Sequence, residues 1–201
     1  MVSPHQNKAD KPKDKTKKRA FKPPKKISEK YLYNSGLHYL QRFPASTHHF
    51  KSVMMRKINK SCRHHVDQDK EKCIELLGKV AEQFTELGLL NDSAYLKGMV
   101  TSYRRRGLSS MQIKMKLRQK GYNNDQVMDE LKNFDRDEFD TNNEGDLKAA
   151  IIFARRKKLG PYDINQRKTP EQTMGSMARA GYSYDITQKI LNMDLKEIEN
   201  A

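Results

Sequence analysis

Residues 117–131 read LRQKGYNNDQVMDEL and residues 177–191 read MARAGYSYDITQKIL. Aligned at an offset of 60, they place Leu117 on Met177, Gly121 on Gly181, Tyr122 on Tyr182, Asp125 on Asp185 and Leu131 on Leu191. Each shared position has a structural reason. A glycine just past a helix closes its last turn in the left-handed conformation, and an acid in the first turn of the next helix answers the positive end of its dipole. The apolar positions on either side anchor the two helices in a core. One helix–stop–helix device is therefore used twice, and recurrence at such a period marks a repeat protein.

Working outward, a looser copy lies upstream at an offset of 63. It sets Ser46 on Ser109, Phe50 on Ile113, Met54 on Leu117 and Lys57 on Lys120. Ile58 stands where the glycine should be, and the polar stretch 59–69 reads as a longer loop, so this unit is diverged or caps the array.

Elsewhere apolar residues recur at helical spacing. Tyr33, Leu37 and Leu40 mark a helix over 28–43, capped by Ser28 and stopped by Pro44. Cys73, Leu77, Val80, Phe84 and Leu87 mark another, ending at Gly88. Leu96, Met99, Val100 and Tyr103 lead to a stop at Gly107, Val127 to Phe134 follow Gly121, and Leu147 to Ala154 stop before Gly160-Pro161. Thr169, Pro170 and Gln172 supply an N-cap, a first-position proline and a capping box, and Ser183 caps a last helix. No alternating strand pattern of useful length appears.

The expected fold is all-α, with three tandem three-helix repeats in an elongated, curved array. The expected boundaries are a disordered basic tail at 1–27, repeats at 28–91, 92–135 and 147–195, an acidic linker at 136–146 and a short tail at 196–201.

Composition supports thin helical layers over one thick core. Of 201 residues, 35% are hydrophobic, 32% charged and 8% aromatic; globular proteins usually hold about 45–50% apolar residues. The net charge is +15, of which residues 1–26 carry +8, so the remainder is basic in its own right. Such a field draws polyanions, nucleic acid first and anionic membrane second. The tail either binds phosphates non-specifically or keeps the chain soluble. No long apolar run or signal-peptide core occurs, so a cytoplasmic protein without membrane contact is expected.

Two cysteines are too few for a disulfide framework. Cys62, His64, His65 and Cys73 offer zinc-compatible groups, but their spacing matches no common finger and Cys73 falls on an apolar stripe. A packed thiol beside solvated histidines reads better. There is no phosphate-cradling glycine loop, no strand to mount a nucleophile, and no apolar frame around the carboxylates to shift their acidity. Neither an enzyme nor a cofactor is expected.

Cations recur where the first helix of each unit ends: Arg42; Arg104, Arg105 and Arg106; Arg155, Arg156, Lys157 and Lys158. Lys114 with Arg118, and Lys116 with Lys120, form i,i+4 pairs on the next helix. These residues are the candidate face for a partner or nucleic acid. The helix dipole alone also favours cations at helix ends. Tyr103 and Tyr122 either stack on bases or belong to the core, with Tyr103 on an apolar stripe.

Four segments, LHYLQRFPAS (37–46), LGLLNDSAY (87–95), RRGLSS (105–110) leading to LRQKGY (117–122), and AGYSYDI (180–186), arrive in an order and spacing that resemble the RecX family of recombination regulators. The long basic tail, the 59–69 stretch and the acidic linker depart from that pattern. The resemblance implies tandem three-helix units without catalytic residues. It further implies a protein, expected to act as a monomer, that docks on the RecA recombinase filament assembled on single-stranded DNA and damps its activity. Single- or double-stranded DNA would then be an additional partner through the basic face and tail. A direct nucleic-acid-binding protein of architectural or RNA-associated type is the alternative that composition alone suggests.

Overall fold

The computed structural model describes residues 23–139 and 144–194. The expectations for 1–22 and for the tail at 196–201 lie outside the described residues. Among those described, the fold is all-α: α1 (Glu29–Leu40), α2 (Thr47–His64), α3 (Lys70–Glu86), α4 (Asp92–Arg105), α5 (Ser110–Arg118), α6 (Asn124–Phe139), α7 (Gly145–Lys157), α8 (Pro170–Arg179) and α9 (Tyr184–Asn192), with a 3-10 turn at Gly160–Tyr162.

The helices start where side-chain oxygens can take up orphan amides. Ser28, Ser46, Asp69, Asn91, Ser109, Thr169 and Ser183 each accept from amides of the helix that follows. Thr169 and Gln172 complete a capping box. At the far ends, Gly121 and Gly181 take φ of 94° and 78°. Tyr122 and Tyr182 then donate their amides back to Leu117 and Met177 at 3.2 Å in both cases. The paired segments that defined the sequence period thus close in the same way. α7 closes similarly, with Lys158 in the left-handed region in place of a glycine.

Three separate hydrophobic clusters form. Phe50, Met54, Ile58, Leu77, Val80 and Phe84 lead the first, among α1–α3. Leu96, Val100, Ile113, Leu117, Val127 and Leu131 lead the second, among α4–α6. Ala150, Ala154, Met177, Tyr182 and Ile190 lead the third, among α7–α9. This arrangement is compatible with three repeats.

Three details differ from the sequence reading. α2 does not stop near Ile58 but runs to His64. With a fully buried isoleucine in the glycine position, nothing ends the helix, and only 65–69 remain as a turn. Secondly, α6 continues to Phe139 and α7 begins at Gly145, so helix enters both ends of the acidic 136–146 stretch.

Finally, residues 24–27, grouped with the tail by their charge, form a strap held on the α2–α3 turn. His65 Nε2 meets the Pro24 carbonyl at 2.8 Å, and the Ser61 hydroxyl donates to Lys25 O at 2.9 Å. Gln68 both accepts from the Ile27 amide at 2.9 Å and donates to its carbonyl at 3.0 Å. Ile27 is buried in the first cluster, which is what draws the strap in.

Candidate functional site

The units meet through a recurring set of contacts. The Ser46 hydroxyl donates to Lys120 O at 2.9 Å, and the Ser109 hydroxyl donates to Ala180 O at 2.7 Å. Asp92 accepts from the Thr47 amide at 2.6 Å, and Asp146 accepts from the Ser110 amide at 2.8 Å. In both joints an N-cap serine reaches the final turn of the next unit's second helix. In both, an acid from that unit's first helix takes up the amide after the serine. Backbone approaches closely here: a Cβ on Gly121 would lie 2.6 Å from His48 Cβ, and one on Gly181 would lie 2.7 Å from the Ser109 oxygen. The glycines are therefore required twice over, for their positive φ and for the fit between units.

Tyr122 and Tyr182 are buried beside these joints and donate to the carbonyls of Asp92 and Gly107, at 2.8 and 2.9 Å. Burial pushes both phenols up. Tyr122 is therefore a structural residue, and base stacking is ruled out for it. Tyr103 is half-buried against the second cluster.

Arg104 must be removed from the candidate surface. Its side chain is 1% exposed and lies where α4, α6 and α7 converge. Nε and Nη2 form a two-pronged bond with Asp135 at 3.0 and 2.8 Å; Nη1 meets Asp146 at 2.5 Å and Leu108 O at 3.2 Å, and Nη2 also meets the Ser110 hydroxyl at 2.9 Å. A planar guanidinium with five donors suits such an enclosure. Burial pushes the Asp135 carboxyl up, against the pull of Arg104, with Asp146 adding to the rise. Gly145 makes room, since a Cβ there would sit 1.9 Å from Asp135 Oδ2.

The other candidates are on or near the surface. Arg42 is exposed with its guanidinium 5.5 Å from the Phe43 ring centre, and Arg105 is exposed but paired with Glu138 at 2.8 Å. Arg106 is exposed at the end of α4. On α5, Lys116 and Arg118 are exposed, and Lys114 is half-buried, as is Lys120 just beyond the helix. Arg155 and Arg156 lie over the rings of Tyr162 and Phe153, at 5.6 and 5.7 Å. Lys157 and Lys158 are exposed, while their carbonyls accept from Lys168 Nζ at 2.8 and 3.2 Å.

The structure therefore gathers Lys114 and Arg118 into one groove, with Met111, Met115, Gln119 and Asn124. The two methionines are 65% and 57% exposed, so the groove joins apolar surface to cations. Lys157 and Lys158 line a different recess with Arg167 and Lys168. Where α2 begins, His49 is pushed below the usual imidazole range by burial and by the nearby cations Lys120 and Arg56, with His48 acting the same way.

Among the described residues, no cluster of three or more metal-binding side chains forms, and no helix is long and apolar enough to cross a membrane.

No family model matches the chain. A regulatory protein RecX from Myxococcus xanthus is 32% identical over 182 residues, covering 89% of this chain and 94% of the relative. The chain belongs to the RecX family. A second regulatory protein RecX, from Agrobacterium fabrum, is 30% identical over 172 residues, covering 83% of this chain and 85% of the relative. The fold is similar to that in the crystal structure of RecX from Lactobacillus salivarius, with a TM-score of 0.56 and 17% identity, across 86% of this chain and 97% of that one. A crystal structure of regulatory protein RecX gives a TM-score of 0.55 at 18% identity, across 82% of this chain and 72% of that one.

Reasoning from sequence missed the Arg104 network, the strap and the exposed methionines beside Lys114 and Arg118. Arg104 carried a signal: with Leu96 and Val100 it continues a spacing of four along the buried stripe of α4.

Proposed function

We propose that this RecX-family chain is a non-enzymatic regulator of recombination that binds the RecA recombinase filament on single-stranded DNA and limits its activity. DNA repair and the SOS response are its setting. Membership of the family carries this reading, and the surface cations of α4, α5 and α7 support it. The chain acts as a cytoplasmic monomer, laying its units along successive filament subunits, where several modest contacts add through tethering. Arg42, Arg105, Arg106, Lys114, Lys116, Arg118, Lys120, Arg155, Arg156, Lys157 and Lys158 supply the contact face. Arg104 holds the joint behind it.

The test is direct. Purified chain added to recombinase on single-stranded DNA should reduce ATPase activity and strand exchange, and an unchanged rate at stoichiometric amounts would end the proposal. Reversing the charge of Arg105, Lys114 and Arg118 together should weaken filament binding while leaving the circular dichroism unchanged. Retained affinity excludes that face.

A second reading, direct binding to DNA or RNA, is favoured by the +15 charge. It requires affinity that falls steeply with salt and drops when residues 1–22 are removed. Undetectable binding at low salt rules it out.

A further inference from the structure

Cys62 and Cys73 take no part in the joints or the basic surface. Cys62 lies in the last turn of α2 and Cys73 in the first turn of α3, the two helices joined by the short turn at 65–69. Cys73 belongs to the first cluster and Cys62 packs against it, continuing the core line of Met54 and Ile58 on α2 and facing that of Leu77 and Ala81 on α3. Both thiols are free, and Cys62 packs against the cluster that holds Cys73. Cys62 is partly exposed and Cys73 is buried. Two thiols that share one core, at the facing ends of helices joined by a short turn, are placed as a candidate pair for a disulfide, which needs Cα atoms within about 7 Å of each other.

We propose that Cys62 and Cys73 form a reversible oxidation site, which a hydroperoxide converts to an intrachain disulfide that fastens the α2–α3 hairpin beneath the strap. The thiolate of Cys62 attacks the peroxide, so an S–O bond forms, the O–O bond breaks and, with a proton, water leaves. The Cys73 sulfur then attacks the Cys62 sulfenic acid. An S–S bond forms, the S–O bond breaks, and the departing hydroxide leaves as water with the Cys73 proton. Two thiols are oxidised by two electrons, and one hydrogen peroxide is reduced to two waters.

The order follows from the surroundings. Cys62 meets solvent, whereas burial pushes the Cys73 thiol up, with Cys62 and Asp69 adding to the rise. Cys73 is therefore the resolving partner and not the first to react. The position gives the bond a consequence. Ser61, beside Cys62, and His65 and Gln68, between the two cysteines, are the residues that hold the strap at 24–27. A cross-link at the base of that turn restrains all three.

The experiment treats the full chain with a small molar excess of hydrogen peroxide and then alkylates it under denaturing conditions. The expected result is loss of both alkylatable thiols, a monomer lighter by about 2 Da, and a tryptic product joining 61–63 to 73–79. Dithiothreitol should restore both thiols. Three results would overturn the proposal: both thiols remaining free, a disulfide-linked dimer, or Cys62 driven to a sulfinic acid with Cys73 untouched. In Cys73→Ser, a dimedone adduct on Cys62 is expected. In Cys62→Ser, a Cys73 that oxidises as fast as in the unaltered chain overturns the order of events. Trypsin should cut at Lys25 and Lys26 more slowly in the oxidised chain than in the reduced one; equal rates would refute the link to the strap.

Discussion

Replacing Arg104 with methionine tests the joint between the second and third clusters. The substitution keeps an apolar stem of similar length but removes every donor. Asp135 then keeps its 8% exposure without a cation, and Asp146 keeps only the amide and hydroxyl of Ser110. Leaving a buried charge uncompensated costs about 3–5 kcal/mol. For a chain of this size that corresponds to a melting temperature lower by on the order of 10 °C.

The loss should also depend on pH in a definite sense. The Asp135 carboxyl is already raised when folded, chiefly by burial, so its stabilising contribution is fully present below its unfolded value and is lost as pH rises through the folded value. Without Arg104 the folded value climbs further, and a protonated Asp135 no longer needs the cation. The deficit in R104M should therefore shrink as pH falls from 8 toward 5. Urea unfolding followed by circular dichroism at both pH values measures it. A deficit of equal size at both, or no deficit, would refute the idea that Arg104 works by compensating buried carboxylates.

Further substitutions separate the roles of individual positions. Gly121→Ala should destabilise by about 2 kcal/mol or more, from its left-handed backbone and its contact with His48. Gly78→Ala, inside α3 with nothing within 4 Å of the added carbon, should instead stabilise by about 0.5–1 kcal/mol; urea midpoints compare the two. Ser109→Ala removes both an N-cap and the bond to Ala180 O, and should cost about 1–3 kcal/mol by the same measurement. His49, held below its ordinary value when folded, contributes stability above pH 6.5 that is lost as pH falls through the folded value. His49→Gln should therefore flatten the decline in stability between pH 7.5 and 5.5, and an unchanged slope would remove His49 as its source.

The helices were legible because their signals are local. Ser28, Thr169 and Ser183 cap where their position before an apolar stripe predicts, and Gly107, Gly121 and Gly181 stop helices where the spacing breaks. What escaped depends on distant partners. Arg104 sits among three consecutive arginines and reads as a solvated helix end, yet its carboxylates lie 31 and 42 residues away. The strap escaped because Ile27 is its one large apolar side chain after five lysines and prolines at 22–26, and no local pattern reveals that Gln68 and Ser61 will hold it. α2 was cut short because polar residues at 59–65 outweighed the single core line continued by Ile58 and Ser61. The candidate surface was legible as composition, but which cations share a groove depended on how α5 meets α6.

The serine bonds between units also set a polarity. The start of α2 abuts the end of α5, and the start of α5 abuts the end of α8, so at both joints the positive end of one helix meets the negative end of another. Each junction neutralises the partial charges that isolated helix ends would expose to water. One positive terminus is left over, at Thr169, whose hydroxyl accepts from its own Gln172. Pro170 follows that cap and has no amide to offer an acid as Thr47 and Ser110 do, so the existing joint cannot be repeated in full at α8 and the series closes there.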